Sequence, residues 1–119
     1  MSSFVSDPVT SVLSTALDGV AFRQSVIANN IANVDTPGFR ASSVDFESSL
    51  KSAIADGTVH SGGVSITATP TNTPVGLNGN NVDLRKETMA ALQSTFQYQI
   101  LTRATNDHFA AIKTASESF

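Results

Sequence analysis

Leu13, Leu17, Val20, Ile27 and Ile31 recur at steps of three and four residues, with Gln24 completing the row. That spacing places them along one side of an α-helix, in the heptad rhythm of a helix packed lengthwise against another. Asp7 and Pro8 mark its start as N-cap and first helical residue, where the missing proline N–H costs nothing. From Pro8 to about Asn33 the helix spans roughly 40 Å at ~1.5 Å per residue. Gly19 inside it costs up to ~1 kcal/mol relative to alanine, so the helix is long without being self-sufficient. Asp35-Thr36-Pro37-Gly38-Phe39 ends it. Pro37 fixes φ at the second position of a turn and Gly38 supplies positive φ at the third, as a type II turn requires. Phe39 then returns an aromatic ring toward the helix.

A short helix follows, with Phe46, Leu50 and Ile54 on one face and Gly57 as its stop. Residues 57–82 change character: they hold five glycines and two prolines but no Asp, Glu, Lys or Arg. Val64, Ile66 and Ala68 alternate with Ser65 and Thr67, which predicts one short strand in an otherwise flexible, turn-rich loop. Val82-Asp83-Leu84 opens a second long helix, capped by Asp83. Met89, Leu92, Phe96 and Ile100 form its apolar row, extended by Phe109 and Ile112. No Pro or Gly interrupts residues 84–119, and about 30 helical residues far exceed the mean of ~11–12. The expected fold is mainly α. Two long terminal helices form an antiparallel coiled-coil-like pair, so that residues 1–56 and 83–119 make one domain around the flexible 57–82.

Composition makes that pair more than a hairpin. Only 14% of the 119 residues are charged, against about 25% in an average soluble domain. Ser, Thr, Asn, Gln and Ala fill the gap, so close packing between copies desolvates few ions. Val26, Ala28, Ala32, Leu101 and Ala104 lie off the main rows, and exposed apolar surface along a helix favours further helices. The competing reading is a closed monomeric hairpin. A net charge of −3, with Arg85 and Lys86 as the only adjacent basic residues, gives no footprint for nucleic acid or anionic lipid. No stretch approaches the ~20 apolar residues of a membrane span, and the first eight residues do not open like a cleaved signal peptide.

Candidate chemistry is sparse. There is no cysteine, and neither His60 nor His108 has a second histidine at metal-ligand spacing. No serine sits in a nucleophile elbow, and Gly76-Leu77-Asn78-Gly79 fits neither a dinucleotide fingerprint nor a phosphate loop. Asp45 and Glu47, two residues apart, do not share a helix face and read as first-turn acids. Neither an enzyme nor a cofactor is expected.

Two segments carry a resemblance. Ile27-Ala28-Asn29-Asn30-Ile31-Ala32-Asn33-Val34-Asp35-Thr36-Pro37-Gly38-Phe39 resembles the N-terminal motif of flagellar rod, hook and related axial proteins. There an Asn-Ile-Ala-Asn run ends the first helix and a Thr-x-Gly-aromatic turn follows. Asn78-Gly79-Asn80-Asn81-Val82-Asp83-Leu84, with Phe96-Gln97-Tyr98-Gln99-Ile100-Leu101-Thr102, is similar to the C-terminal half of proximal-rod members. Val34 stands where Ala is common, and Phe96-Gln97 where Arg or Asn often precedes the Tyr.

The resemblance implies a structural subunit of the flagellar basal-body rod, part of the axial shaft that transmits torque. It implies export through the flagellar type III apparatus without a cleaved signal, and terminal helices that fold on assembly. The partners it implies are further copies, other rod proteins, and adaptor, ring and export-gate proteins, with no nucleic acid, small-molecule substrate or membrane insertion. Asn30, Asn33, Asp35, Thr36, Pro37, Gly38 and Phe39 match the first motif, and Asn80, Val82, Asp83, Tyr98 and Gln99 the second. Leu13, Leu17, Val20, Ile27 and Ile31 are assigned with Met89, Leu92, Phe96 and Ile100 to a helix–helix assembly seam. Another axial component and a cytoplasmic helical adaptor or export chaperone are the rival readings.

Overall fold

A computed structural model of the chain describes residues 8–118. Three helices and a two-stranded sheet make a slender body, 66 × 26 × 16 Å. In chain order they are α1 (Pro8–Ala32), β1 (Ser42–Val44), α2 (Glu47–Asp56), a 3-10 turn at Val59–Ser61, β2 (Ala68–Pro70) and α3 (Leu84–Glu117). The long helices pack against each other along their length. The predicted capping residue Asp7 lies outside the described residues.

α1 ends where Thr36 to Phe39 turn the chain back, with the Phe39 N–H bonded to the Thr36 carbonyl (3.2 Å) and Gly38 at φ 78°. This is the expected turn. α2 ends at Gly57, whose φ of 70° lets the Gly57 and Thr58 N–H groups reach the Ile54 and Ala53 carbonyls. Its buried face is Leu50 and Ala53, with Phe46 just before the first turn, whereas Ile54 points to solvent. Asp83 caps α3 by accepting the Lys86 N–H at 3.2 Å.

Residues 57–82 are tied down at several points. The Ser65 N–H bonds the Ser49 hydroxyl at 2.8 Å, and Val64 and Ile66 pack half-buried against the core. The strand of this segment lies at 68–70 rather than 64–68, because its antiparallel partner β1 ends at Val44, opposite Ala68, just before α2 begins at Glu47. β1 and β2 pair antiparallel, Ser43 opposite Thr69. Nothing in the hydropathy pattern of residues 42–44 marks β1.

Ala16, Val20, Val44, Phe46 and Leu50 form the core, with Val12, Val26 and Leu101 against it. Gly19 has a use here that propensity alone conceals. A Cβ at Gly19 would sit 2.5 Å from the Phe46 ring, so the missing side chain is the notch into which Phe46 packs.

Candidate functional site

The two motif segments lock together through amides. Asn80 is 7% exposed, and its Nδ2 donates to the carbonyls of Asn33 and Thr36, both at 2.8 Å. Its Oδ1 accepts the Val82 N–H at 2.7 Å. Asn81, 4% exposed, accepts the Ala41 N–H at 2.6 Å and donates its own backbone N–H to Phe39. The Gly38 N–H bonds the Asn78 carbonyl at 2.9 Å, and a Cβ on Gly79 would meet the Gly38 Cα at 3.2 Å. Two glycines therefore let two backbones touch, and two asparagines satisfy the carbonyls and N–H groups buried there.

Asn30 works in the same way from α1. Its Nδ2 donates to the Ser42 carbonyl (2.7 Å) and its Oδ1 accepts the Ser42 N–H (3.2 Å), so one side chain stands in for a neighbouring strand. Asn33 closes the helix end: its Nδ2 bonds the Asn29 carbonyl at 2.8 Å and its Oδ1 accepts the Thr36 hydroxyl. Asp35, Thr36 and Pro37 are exposed, and Phe39 and Val82 half-buried.

Arg23 is the second anchor. Its Nη2 donates to the Val44 carbonyl at 2.7 Å, its Nη1 to Glu47 at 2.8 Å and to Gln97 at 3.1 Å. Its guanidinium also lies 5.0 Å from the centre of the Phe46 ring, within cation–π range. One cation thereby joins α1, β1, α2 and α3. The hydrogen bond from Arg23 holds the Glu47 carboxyl below its ordinary range, against the opposing effect of partial burial.

The rows of apolar residues divide. On α1 the buried line is Ala16, Val20, Ile27 and Asn30, with Arg23 between them; Leu13, Leu17 and Ile31 are half-buried beside it. The predicted period is present, displaced by about one residue toward smaller and more polar side chains. On α3 the predicted row faces away from α1. Met89, Leu92, Phe96 and Ile100 are 57%, 55%, 57% and 67% exposed. The inner face is made instead of Glu87, Ala90, Ser94 and Leu101, among which the small Ala90 and Ser94 let α1 lie close. Within the chain, then, the two predicted rows do not meet. Tyr98 and Gln99 are exposed on α3.

Sequence reasoning did not mark Arg23, while Gly19 stood out only as a cost to its helix and Asn81 only as part of the motif. A lone arginine at the heptad spacing of Ala16, Val20 and Ile27 was the available signal for Arg23. Asn81 adjoins the recognised Asn80.

A cavity of about 270 Å³ opens between the long helices, lined among others by Arg23, Ile27, Glu47, Lys86, Glu87 and Gln97. It mixes both signs of charge, and it holds no hydroxyl-and-base pair of the catalytic kind. Among the described residues no three His, Asp or Glu side chains converge as metal ligands, and no helix is long and apolar enough to cross a membrane.

A polar clasp that closes the chain on itself, beside a long helix with an outward apolar face, defines a building block for assemblies. The sequence profile of the flagella basal body rod protein family matches residues 12–40, the stretch that runs through α1 and its turn. The chain is 38% identical over 116 residues to the flagellar basal body rod protein FlgB of Bacillus subtilis, covering 86% of this chain and 88% of that one. It is 33% identical to FlgB of Borreliella burgdorferi (81% and 86% covered) and 34% identical to FlgB of Salmonella typhimurium (71% and 75%). The chain belongs to the flagellar basal body rod protein family, whose members are structural and not enzymes.

Proposed function

We propose that this chain is a structural subunit of the proximal flagellar rod, and that its two long helices carry it into the axial shaft that transmits torque. The outward apolar face of α3 carries the reading: Met89, Leu92, Phe96 and Ile100 are exposed although α3 already has a packed face against α1. A helix apolar on the side its own chain leaves open is made for a second chain. Leu13, Leu17, Val20, Ile27 and Ile31 belong to the inner seam in this reading, and the α3 row to contacts between subunits.

The long helices are read as an antiparallel pair. Leu101 joins the cluster at Ala16 and Val20, Arg23 meets Gln97, and Ile27 shares the cleft with Glu87 and Ala90. Ascending positions on α1 thus match descending positions on α3. Other rod subunits are the first partners, with adaptor, ring and export-gate proteins at the base, and the rod crosses the periplasm after export without signal cleavage.

Deletion of the gene should abolish swimming, and the wild-type chain restored on a plasmid should purify with basal bodies. Phe96→Asp should leave the chain folded, by far-UV circular dichroism, yet absent from basal bodies. A chain confined to the cytoplasm in cells that swim without it would replace the rod reading with the adaptor or chaperone reading.

A further inference from the structure

The two long helices carry exposed stripes that match each other in length, bulk and charge. On α3, Met89, Leu92, Phe96 and Ile100 follow at spacings of three and four. On α1, Ala21, Ser25, Ala28 and Ala32 follow at spacings of four and three, all exposed, on a flank roughly 120° round the helix from the buried line through Val20 and Ile27; Ser25 and Ala28 there border a hollow shared with Ser42 and Ala68. One stripe is bulky and apolar. The other is made of the small side chains that allow a second helix to approach closely.

The ends of the stripes match as well. Arg85 precedes and Arg103 follows the bulky row at helical spacing; Asp18 precedes the small row, and Asp35 follows it in the turn. The arginines are separated by 103 − 85 = 18 positions of continuous helix, on the order of 27 Å; the aspartates are separated by 35 − 18 = 17 positions, the last three beyond the end of α1 at Ala32. All four are exposed, and among the described residues none of them meets an opposite charge within the chain.

We propose that copies of this chain pack heterologously, the bulky α3 stripe of one copy seated on the small-residue α1 stripe of the next, with Arg85 and Arg103 against Asp18 and Asp35. The proposal rests on the rod-subunit reading and names the contact that reading leaves open. Each stripe lies off the seam between the helices. Filling the α3 stripe of one copy therefore leaves that of the next copy free, and the contact repeats head to tail, into a ring or an open helix according to the rotation it imposes. A two-fold contact of bulky stripe on bulky stripe would instead set arginine near arginine, a like-charge arrangement that interfaces avoid. Each side chain of the bulky row is more than half exposed, which makes a patch on the order of a few hundred Å², the size of the largest and often functional patch on a monomer.

The absence of native cysteine lets an introduced pair report a single contact. The full-length chain carrying Ala28→Cys with Leu92→Cys, and separately Ala28→Cys with Phe96→Cys to cover one turn of register, would replace the wild type. Basal bodies would be purified and treated with a short bismaleimide. The expected result is a ladder of covalent multimers of this chain from at least one double variant, and none from the three single variants. Dimers from Leu92→Cys alone would overturn the proposal in favour of a two-fold contact. Uncross-linked chain in basal bodies of swimming cells would also overturn it, leaving the rod reading intact; swimming cells whose basal bodies lack the chain would remove both. Arg103→Asp should lower multimer yield several-fold in the double variant, and reversal of either Asp18 or Asp35 to Arg should restore it. Rescue by neither overturns the pairing of the charged ends.

Discussion

The clasp and the outer face of α3 invert the usual placing of side chains. At the clasp Asn30, Asn80 and Asn81 are 1%, 7% and 4% exposed, whereas on α3 Met89, Leu92, Phe96 and Ile100 are each more than half exposed. The asparagines can be buried because their amides meet backbone groups that would otherwise lack partners. The apolar row can be exposed because closing the chain does not need it. In a subunit of an assembly, polar residues settle how one chain is held and apolar residues are left for the next chain. The two regions should therefore respond oppositely to substitution.

The largest loss of monomer stability is expected at the clasp. Asn80→Leu keeps the number and branching of side-chain heavy atoms but removes two donors and the acceptor for Val82. At ~1–3 kcal/mol for a buried group left unsatisfied, a loss of about 3 kcal/mol follows. Asn30→Leu, which strips both groups of Ser42, should fall in the same range. Urea unfolding of each variant checks this. A loss below about 1 kcal/mol would mean that water replaces the amides and that the clasp is not a closed site.

Gly19→Ala comes next. Helix propensity alone predicts a gain of up to ~1 kcal/mol. The Phe46 ring 2.5 Å from the added Cβ forbids it. Overpacking of this kind costs about 1–3 kcal/mol, so net destabilisation of roughly 1 kcal/mol is expected in the same assay. A stabilised variant would show that Phe46 has room to move.

How far the sequence disclosed these regions follows from what kind of signal each leaves. Helix boundaries, the Thr36–Phe39 turn and the Gly57 stop were legible because Pro, Gly and Asp act on their own backbone. The motif asparagines were legible as a pattern, but their partners were not, since Asn80 reaches across 47 positions to Asn33. β1 left no trace because Ser42–Val44 has no alternation of its own and is held by β2 and Asn30. The α3 row was visible as a row. Its direction was not, because periodicity fixes which residues share a face and says nothing about which body that face meets. Glu87 and Ser94 look like surface residues in sequence and are 6% and 0% exposed.

A smaller effect is expected where the molecule titrates. Arg23 holds Glu47 below its ordinary value of 4.5. A carboxyl depressed in the folded state adds stability above its unfolded value, and that contribution is lost as pH falls from about 4.5 through the folded value. Glu47→Gln should therefore flatten the acid side of the stability profile and leave its neutral-to-alkaline side parallel to wild type. The change should be slight, because the Glu47 side chain is 51% exposed and water screens the pair. An unchanged acid slope would assign the effect to another carboxyl.

The smallest change in monomer stability is expected where the effect on the cell is greatest. Leu92 is 55% exposed on the face of α3 turned from α1, so Leu92→Gln trades one good helix former for another without opening a cavity. Surface changes of this kind stay within about 0.5 kcal/mol. The same substitution removes an apolar side chain from the surface assigned to the neighbouring subunit, so swimming and recovery of the chain in basal bodies should fall sharply. The discriminating result is the ratio of the two readouts set beside that of Asn80→Leu. If Leu92→Gln costs as much stability as a clasp variant, the α3 row belongs to the fold of the monomer, and the division between inner polar closure and outer apolar contact fails.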